Sequence, residues 1–200
     1  MKTEFHPVTS NRWKDLEKLF GKSGACGGCW CMWFRSARSR WNEQKGEGNK
    51  KALKKMIAEG NFVVGMLGYV DGEPAGWVSF GKREEFPAIE KSRLFQPIDN
   101  QSVWSVVCFY VARRYRRNGL TEKLLQAAIR LARQNGARIV EAYPIEPKKK
   151  EMPDVFAYHG FASIFRKNGF QEVARRSETR PMMRKDLTTE SRRTQRKNNS

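Results

Sequence analysis

Apolar positions along this chain recur with two different periods, and the switches between them mark out its elements. Residues 103–111, Val-Trp-Ser-Val-Val-Cys-Phe-Tyr-Val, are almost wholly apolar, β-branched or aromatic, the pattern of a strand buried on both faces. After a basic turn the period becomes helical. Leu120, Leu124, Ala127, Ala128 and Leu131 fall on one face, with Glu122, Lys123, Gln126, Arg130 and Arg133 opposite. Asn135-Gly136 stops this helix, because glycine accepts the left-handed conformation that follows a helix end.

Upstream, residues 2–8 predict a short strand. Ser10 or Asn11 then predicts the cap of a helix with Trp13, Leu16, Leu19 and Phe20 as its apolar stripe and Gly21 as its end. Residues 36–48 are polar and basic, a loop with one helical turn around Trp41. Residues 50–59 predict a helix with Leu53, Met56 and Ile57 inward. Two strands, residues 61–70 and 74–80, flank Asp71-Gly72, a strong hairpin signal. Residues 82–100 contain Pro87 and Pro97 and predict a loop with a helical turn near residues 89–94. Its acidic members Glu84, Glu85, Glu90 and Asp99 either face an amine substrate or are simply solvated.

Downstream, residues 137–144 predict a strand closed by Pro144, followed by a linker containing Lys148-Lys149-Lys150. A short helix within residues 161–170 ends at Asn168-Gly169, and residues 171–176 and 180–187 predict two final strands. Residues 187–200 are basic and lack aromatics, which predicts a disordered tail after one domain spanning residues 1–186. No internal repeat is present, and the order of elements gives an α/β class with a mixed (α+β) sheet.

Charge narrows the partners. The 39 Lys+Arg against 21 Asp+Glu give +18, which favours acidic partners such as CoA phosphates, nucleic acid, a ribosome or an anionic substrate. The amino terminus shows no apolar signal region and no run approaches a membrane span, so a cytoplasmic protein with no membrane partner is expected, as monomer or homodimer.

Two stretches carry candidate chemistry. The first is the turn Arg113-Arg114-Tyr115-Arg116-Arg117-Asn118-Gly119 between buried strand and helix, where free backbone N–H groups and the positive helix end make an anion site. It has neither the P-loop spacing nor the three-glycine dinucleotide fingerprint. The second is Gly24-Ala25-Cys26-Gly27-Gly28-Cys29-Trp30-Cys31-Met32-Trp33-Phe34. Three cysteines in six residues admit reduced thiols, a metal site or a redox-active pair. Only Cys108, His6 and His159 remain to supply a fourth zinc ligand, so no metal is expected.

The hexamer Arg116-Arg117-Asn118-Gly119-Leu120-Thr121 resembles the acetyl-CoA pyrophosphate loop of the GNAT N-acetyltransferase superfamily, Gln/Arg-x-x-Gly-x-Gly/Ala after a strand, with Thr121 at the sixth position. Residues 70–78, Val-Asp-Gly-Glu-Pro-Ala-Gly-Trp-Val, look like its second and third strands. Residues 161–170 look like its second signature, where many members carry Tyr four residues before the Gly to protonate the departing CoA thiolate. Here that position is Phe165, which has no proton to give.

The resemblance implies a GNAT-like fold with a mostly antiparallel sheet and, as co-substrate, acetyl-CoA. It implies pantetheine contacts at Phe109 and Val111 and a pyrophosphate cradle from Arg116, Arg117, Asn118, Gly119, Leu120 and Thr121. An acetyl group would pass directly to a primary amine. It places the loop with Cys29, Trp30, Cys31 and Trp33 near the acceptor. No general base is evident: Tyr158 and His159 are the catalytic candidates, with Glu141, Tyr143 or a water relay beside them. An acyl-cysteine at Cys29, Cys31 or Cys108 is unneeded. Two other functions stay open, a nucleic-acid or ribosome-binding protein on this scaffold and a zinc or redox regulator using Cys26, Cys29 and Cys31.

Overall fold

In the computed structural model, which describes residues 1–147 and 154–188, seven strands form one sheet in the order β1-β2-β3-β4-β5-β7-β6. These are β1 (Thr3–Pro7), β2 (Gly65–Val70), β3 (Glu73–Lys82), β4 (Trp104–Val111), β5 (Ile139–Ala142), β6 (Gln171–Arg175) and β7 (Pro181–Asp186). Every neighbouring pair is antiparallel except β4 and β5, which are parallel and joined through helix α5 (Leu120–Gln134, the fifth along the chain). The expected mixed, mostly antiparallel sheet flanked by helices is therefore what the chain forms.

The remaining helices are α1 (Trp13–Phe20), α2 (Arg38–Glu43), α3 (Glu47–Glu59), α4 (Pro87–Glu90) and α6 (Ala162–Lys167). The amphipathic stripe of α5 covers one face of the sheet, where Leu120, Leu124, Leu125 and Ala128 meet Val78, Val106, Phe109 and Val140. Gly76 makes this approach close, since a Cβ there would stand 2.8 Å from Leu124 Cδ1. The other face packs under α1, α3 and the Cys/Trp segment, with Trp13, Leu16, Phe20, Trp30, Leu53 and Trp77 in one cluster.

Several expectations need correction. Neither Ser10 nor Asn11 caps α1. A 3-10 turn (Ser10–Arg12) leads in, and Arg12 occupies the cap position with no side-chain hydrogen bond. Burial of Trp13, Leu16, Leu19 and Phe20 holds the helix instead. The acidic segment is a chain of short turns (Arg83–Glu85, α4 and Arg93–Phe95), and three of its carboxylates are countercharges to arginines. Glu85 faces Arg35, Glu90 faces Arg83 and Asp99 faces Arg184. Leu187 is no part of a loose tail: it is 2% exposed in the core, and its N–H donates to the Arg138 carbonyl. The rest of the predicted tail from residue 189, and the lysine run 148–150, lie outside the described residues.

The Cys/Trp segment is a succession of turns whose aromatics go inward. Trp30 is buried and stacks on Trp13 with centroids 5.9 Å apart. Trp30 (φ 45°) and Cys31 (φ 54°) are consecutive non-glycine residues in the left-handed region. Each such residue costs on the order of 1 kcal/mol, and the surrounding burial must hold it there.

Candidate active site

The sheet opens at its centre. β4 and β5 are in register only over Trp104–Val106 and Val140–Ala142, and beyond that β4 pairs with β3 alone. On β3, Ser79 faces Cys108 and Phe80 faces Val106, which leaves Val107 as a bulge. A bulge bends its strand and interrupts pairing, so the second half of β4 leaves β5 at this residue. The result is a cleft between the diverging strands, with Phe109–Val111 along one side just beyond the parallel stretch, the place past the strand carboxyl ends where ligands of open α/β sheets bind.

The turn at the mouth of the cleft presents exposed arginines and the amino-terminal end of α5. Arg117 (φ 63°) and Gly119 (φ 73°) are both left-handed, and α5 starts at Leu120 with no side-chain cap. Its first-turn amides therefore have no side-chain acceptor, and they carry the positive end of the helix dipole. Arg113, Arg114, Arg117, Asn118 and Gly119 are exposed, whereas Leu120 is buried as the anchor of the turn and Thr121 is half-buried. Arg116 is half-buried and braces the turn: its Nε donates to the Val111 carbonyl at 3.0 Å. Glu122, the acid in the first turn, is held by Lys167 at 2.9 Å and Asn168 at 3.3 Å. The predicted cradle residues are thus contiguous with Phe109 and Val111.

The catalytic candidates lie on the 3-10 helix Asp154–His159, which packs against β4. His159 is not a surface residue. It is 3% exposed, with its ring between Phe34 (5.2 Å) and Tyr158 (4.4 Å), and its Nδ1 is buried without a partner. Burial, then the Arg180 guanidinium, lower its pKa to about 3. Such an imidazole is a weak base. Tyr158 is half-buried, and burial raises its pKa, opposed by Arg180. Its phenol keeps its proton at neutral pH and suits a donor.

The depressed His159 makes a pH prediction. A histidine kept neutral in the fold contributes stability above its unfolded pKa near 6.5, and loses it as pH falls towards the folded value of about 3. Between pH 7.5 and 5.5 this amounts to about 1.4 kcal/mol. Urea unfolding at the two values should show that loss in the natural protein but not in His159→Phe.

Glu141 and Tyr143 are unfit as bases, because both are consumed internally. Glu141 is fully buried; Oε1 accepts from Arg83 at 2.5 Å and Tyr143 at 2.6 Å, and Oε2 accepts from Arg184 at 2.7 Å. Tyr143 also meets Ser105 at 2.9 Å, and Arg83 also donates to the Phe95 carbonyl. Sequence reasoning missed Arg83 and Arg184 altogether, since nothing local distinguishes them from the other arginines. Phe165 is fully buried, edge-on to Phe109 and Phe170, so the position is a packing site here.

The Cys/Trp segment reaches the opposite side of β4 from α5. Cys31 Sγ lies 3.9 Å from Cys108 Sγ and accepts from Trp77 Nε1 at 2.8 Å. Burial, then neighbouring Cys31, push the Cys29 thiol up to about 11, and contact with Cys31 followed by burial raises Cys108. Trp33 is half-buried and meets Trp41 edge-on at 4.8 Å. Among the described residues no group of three or more His, Cys, Asp or Glu side chains is arranged to hold a metal ion.

Strand β4, interrupted by a bulge, thus runs through an arginine-rich turn into the uncapped start of α5. The family model for the Acetyltransferase (GNAT) family matches residues 30–161, more than half of the chain. The chain belongs to the GNAT family and is an acetyltransferase by that membership. Solved structures agree in fold. PaiA N-acetyltransferase from Thermoplasma acidophilum, in complex with coenzyme A, is 15% identical with a TM-score of 0.54, covering 94% of this chain and 100% of that one. An N-acetyltransferase from Staphylococcus aureus Mu50 is 12% identical, TM-score 0.56, covering 94% and 99%. A ribosomal-protein-alanine N-acetyltransferase from Brucella melitensis is 16% identical, TM-score 0.54, covering 92% and 99%. At these identities the likeness carries the fold alone. No curated protein sequence matches the chain.

Proposed function

We propose that this protein transfers an acetyl group from acetyl-CoA directly to a primary amine. The observation that carries the reading is the continuity of the β4–β5 cleft with the uncapped start of α5. The Thermoplasma acidophilum structure holds coenzyme A in the same fold, which supports this choice of co-substrate. The pyrophosphate lies on the amides of residues 116–121 under the exposed arginines, and pantetheine runs along Phe109 and Val111 towards the bulge. The amine, deprotonated through water, attacks the thioester carbon. The carbonyl oxygen gains negative charge, and the C–S bond then breaks to release CoA thiolate.

Tyr158 supplies the proton to that thiolate, in place of the position occupied by Phe165. His159 packs beside it and orients the phenol. Tyr158→Phe should lower kcat about 100-fold or more with KM for acetyl-CoA nearly unchanged, the effect expected for loss of one general acid. Equal loss in kcat and binding would assign Tyr158 to packing instead. The overall reading is tested by following release of free CoA thiol with a panel of primary amines, amino acids and amino-terminal peptides. Absence of release with every amine, despite tight acetyl-CoA binding, would overturn the amine specificity.

A further inference from the structure

We infer that Cys31 and Cys108 form a peroxide-sensitive thiol pair that oxidises reversibly to a disulfide. They are 77 residues apart in sequence, yet their sulfurs stand 3.9 Å apart. Closing to a disulfide bond requires side-chain rotation rather than a new fold. Both are free thiols: Cys31 is buried and Cys108 is partly exposed. Solvent, and with it a small hydroperoxide, reaches the pair at the partly exposed Cys108.

The two sulfurs differ in their surroundings, and this assigns their roles. The Trp77 indole N–H donates to Cys31 Sγ at 2.8 Å, a contact that stabilises negative charge on that sulfur. Among the described residues Cys108 has no N–H donor beside it: its Sγ meets Cys31 Sγ at 3.9 Å and donates to the Phe109 carbonyl at 3.8 Å, and contact with Cys31 followed by burial raises it, so it keeps its proton. The Cys31 sulfur therefore attacks the hydroperoxide as its thiol proton departs. The S–O bond forms, the O–O bond breaks, and the peroxide leaves as an alcohol, or as water for hydrogen peroxide, after taking a proton. The resulting sulfenic acid at Cys31 is displaced by the Cys108 sulfur. The S–S bond forms, the S–O bond breaks, and hydroxide leaves with the Cys108 proton as water. Two thiols are oxidised and one peroxide is reduced. A dithiol reverses the step by exchange.

The left-handed backbone at Trp30 and Cys31 supports a purposeful placement of this sulfur, because the chain holds it against β4 in a conformation that side chains avoid. The bond ties the loop to the strand at Cys108, one residue before Phe109. The pairing stands on the thiol geometry alone. Its consequence for turnover rests on the acetyltransfer reading: with loop and strand joined, the amine's approach beside Cys108 narrows and kcat falls.

The test treats the native protein with hydrogen peroxide, alkylates it with N-ethylmaleimide under denaturing conditions and maps the digest by mass spectrometry. The expected product is a peptide pair linked through Cys31 and Cys108, two hydrogen masses lighter than its parts and separated by dithiothreitol. It should be absent in Cys108→Ser and persist in Cys26→Ser. Alkylation of both Cys31 and Cys108 after peroxide, or a link confined to Cys26 and Cys29, would overturn the proposal. Because the natural protein alone decides the mapping, a variant that fails to fold does not blunt it. Linkage without loss of CoA release would leave the pair in place and remove only its effect on turnover.

Discussion

Gly119→Glu is expected to weaken acetyl-CoA binding at least about 100-fold while leaving the protein folded. A Cβ at this position meets nothing within 4 Å, so a side chain has room. The cost lies elsewhere. Gly119 has φ 73°, where any L side chain is strained by roughly 1 kcal/mol, and the turn that aims the first amides of α5 depends on that conformation. The new carboxylate would also sit at the positive end of the helix, where it stabilises α5 and competes with the phosphates for the same amides. Calorimetric titration with acetyl-CoA measures the effect. Gly119→Ala serves as its partner, since alanine introduces the backbone strain without the charge and should weaken binding much less. Unchanged affinity in the glutamate variant would show that the pyrophosphate does not use this turn.

The second large effect falls on stability. Glu141→Gln is expected to destabilise the fold by about 3–5 kcal/mol, the usual consequence of removing one member of a buried ion network. The carboxylate is fully buried and satisfies Arg83 and Tyr143 through one oxygen and Arg184 through the other. An amide cannot accept at both ends, and Arg83 (7% exposed) would keep its charge out of water with only Glu90 beside it. By contrast, Asp99→Asn removes a carboxylate at the rim of the same network, and should cost less than about 1 kcal/mol. Denaturant midpoints of the two variants measure the difference. Equal midpoints would mean that apolar packing, and not this network, joins β5 to β7 and to the Arg83 turn.

The network and the cleft share strand β5, which explains why an acid that looks like a base in the sequence is structural. Glu141 ends a strand near the expected site, and strand ends commonly carry catalytic groups. Which of two buried carboxylate roles a residue takes depends on what faces it across the sheet. Arg83 is 58 residues away and Arg184 is 43 residues away. Neither separation leaves a trace in any local pattern.

The alternation of apolar and polar positions by itself determined most elements of this protein. Strand β4, helix α5, the hairpin around Asp71-Gly72 and the helix ending at Asn168-Gly169 follow from side-chain period and glycine stops, which act between near neighbours in the chain. The arginine-rich turn proposed to hold the pyrophosphate was legible for the same reason: its strand, its glycine and its helix are consecutive. The tertiary structure alone decided the rest. It buried His159 among Phe34, Phe95 and Tyr158, paired the acidic turns with arginines, and brought Cys31 against Cys108 under Trp77. Burial and partner choice are properties of contacts between distant segments, and those contacts exist only once the sheet has assembled.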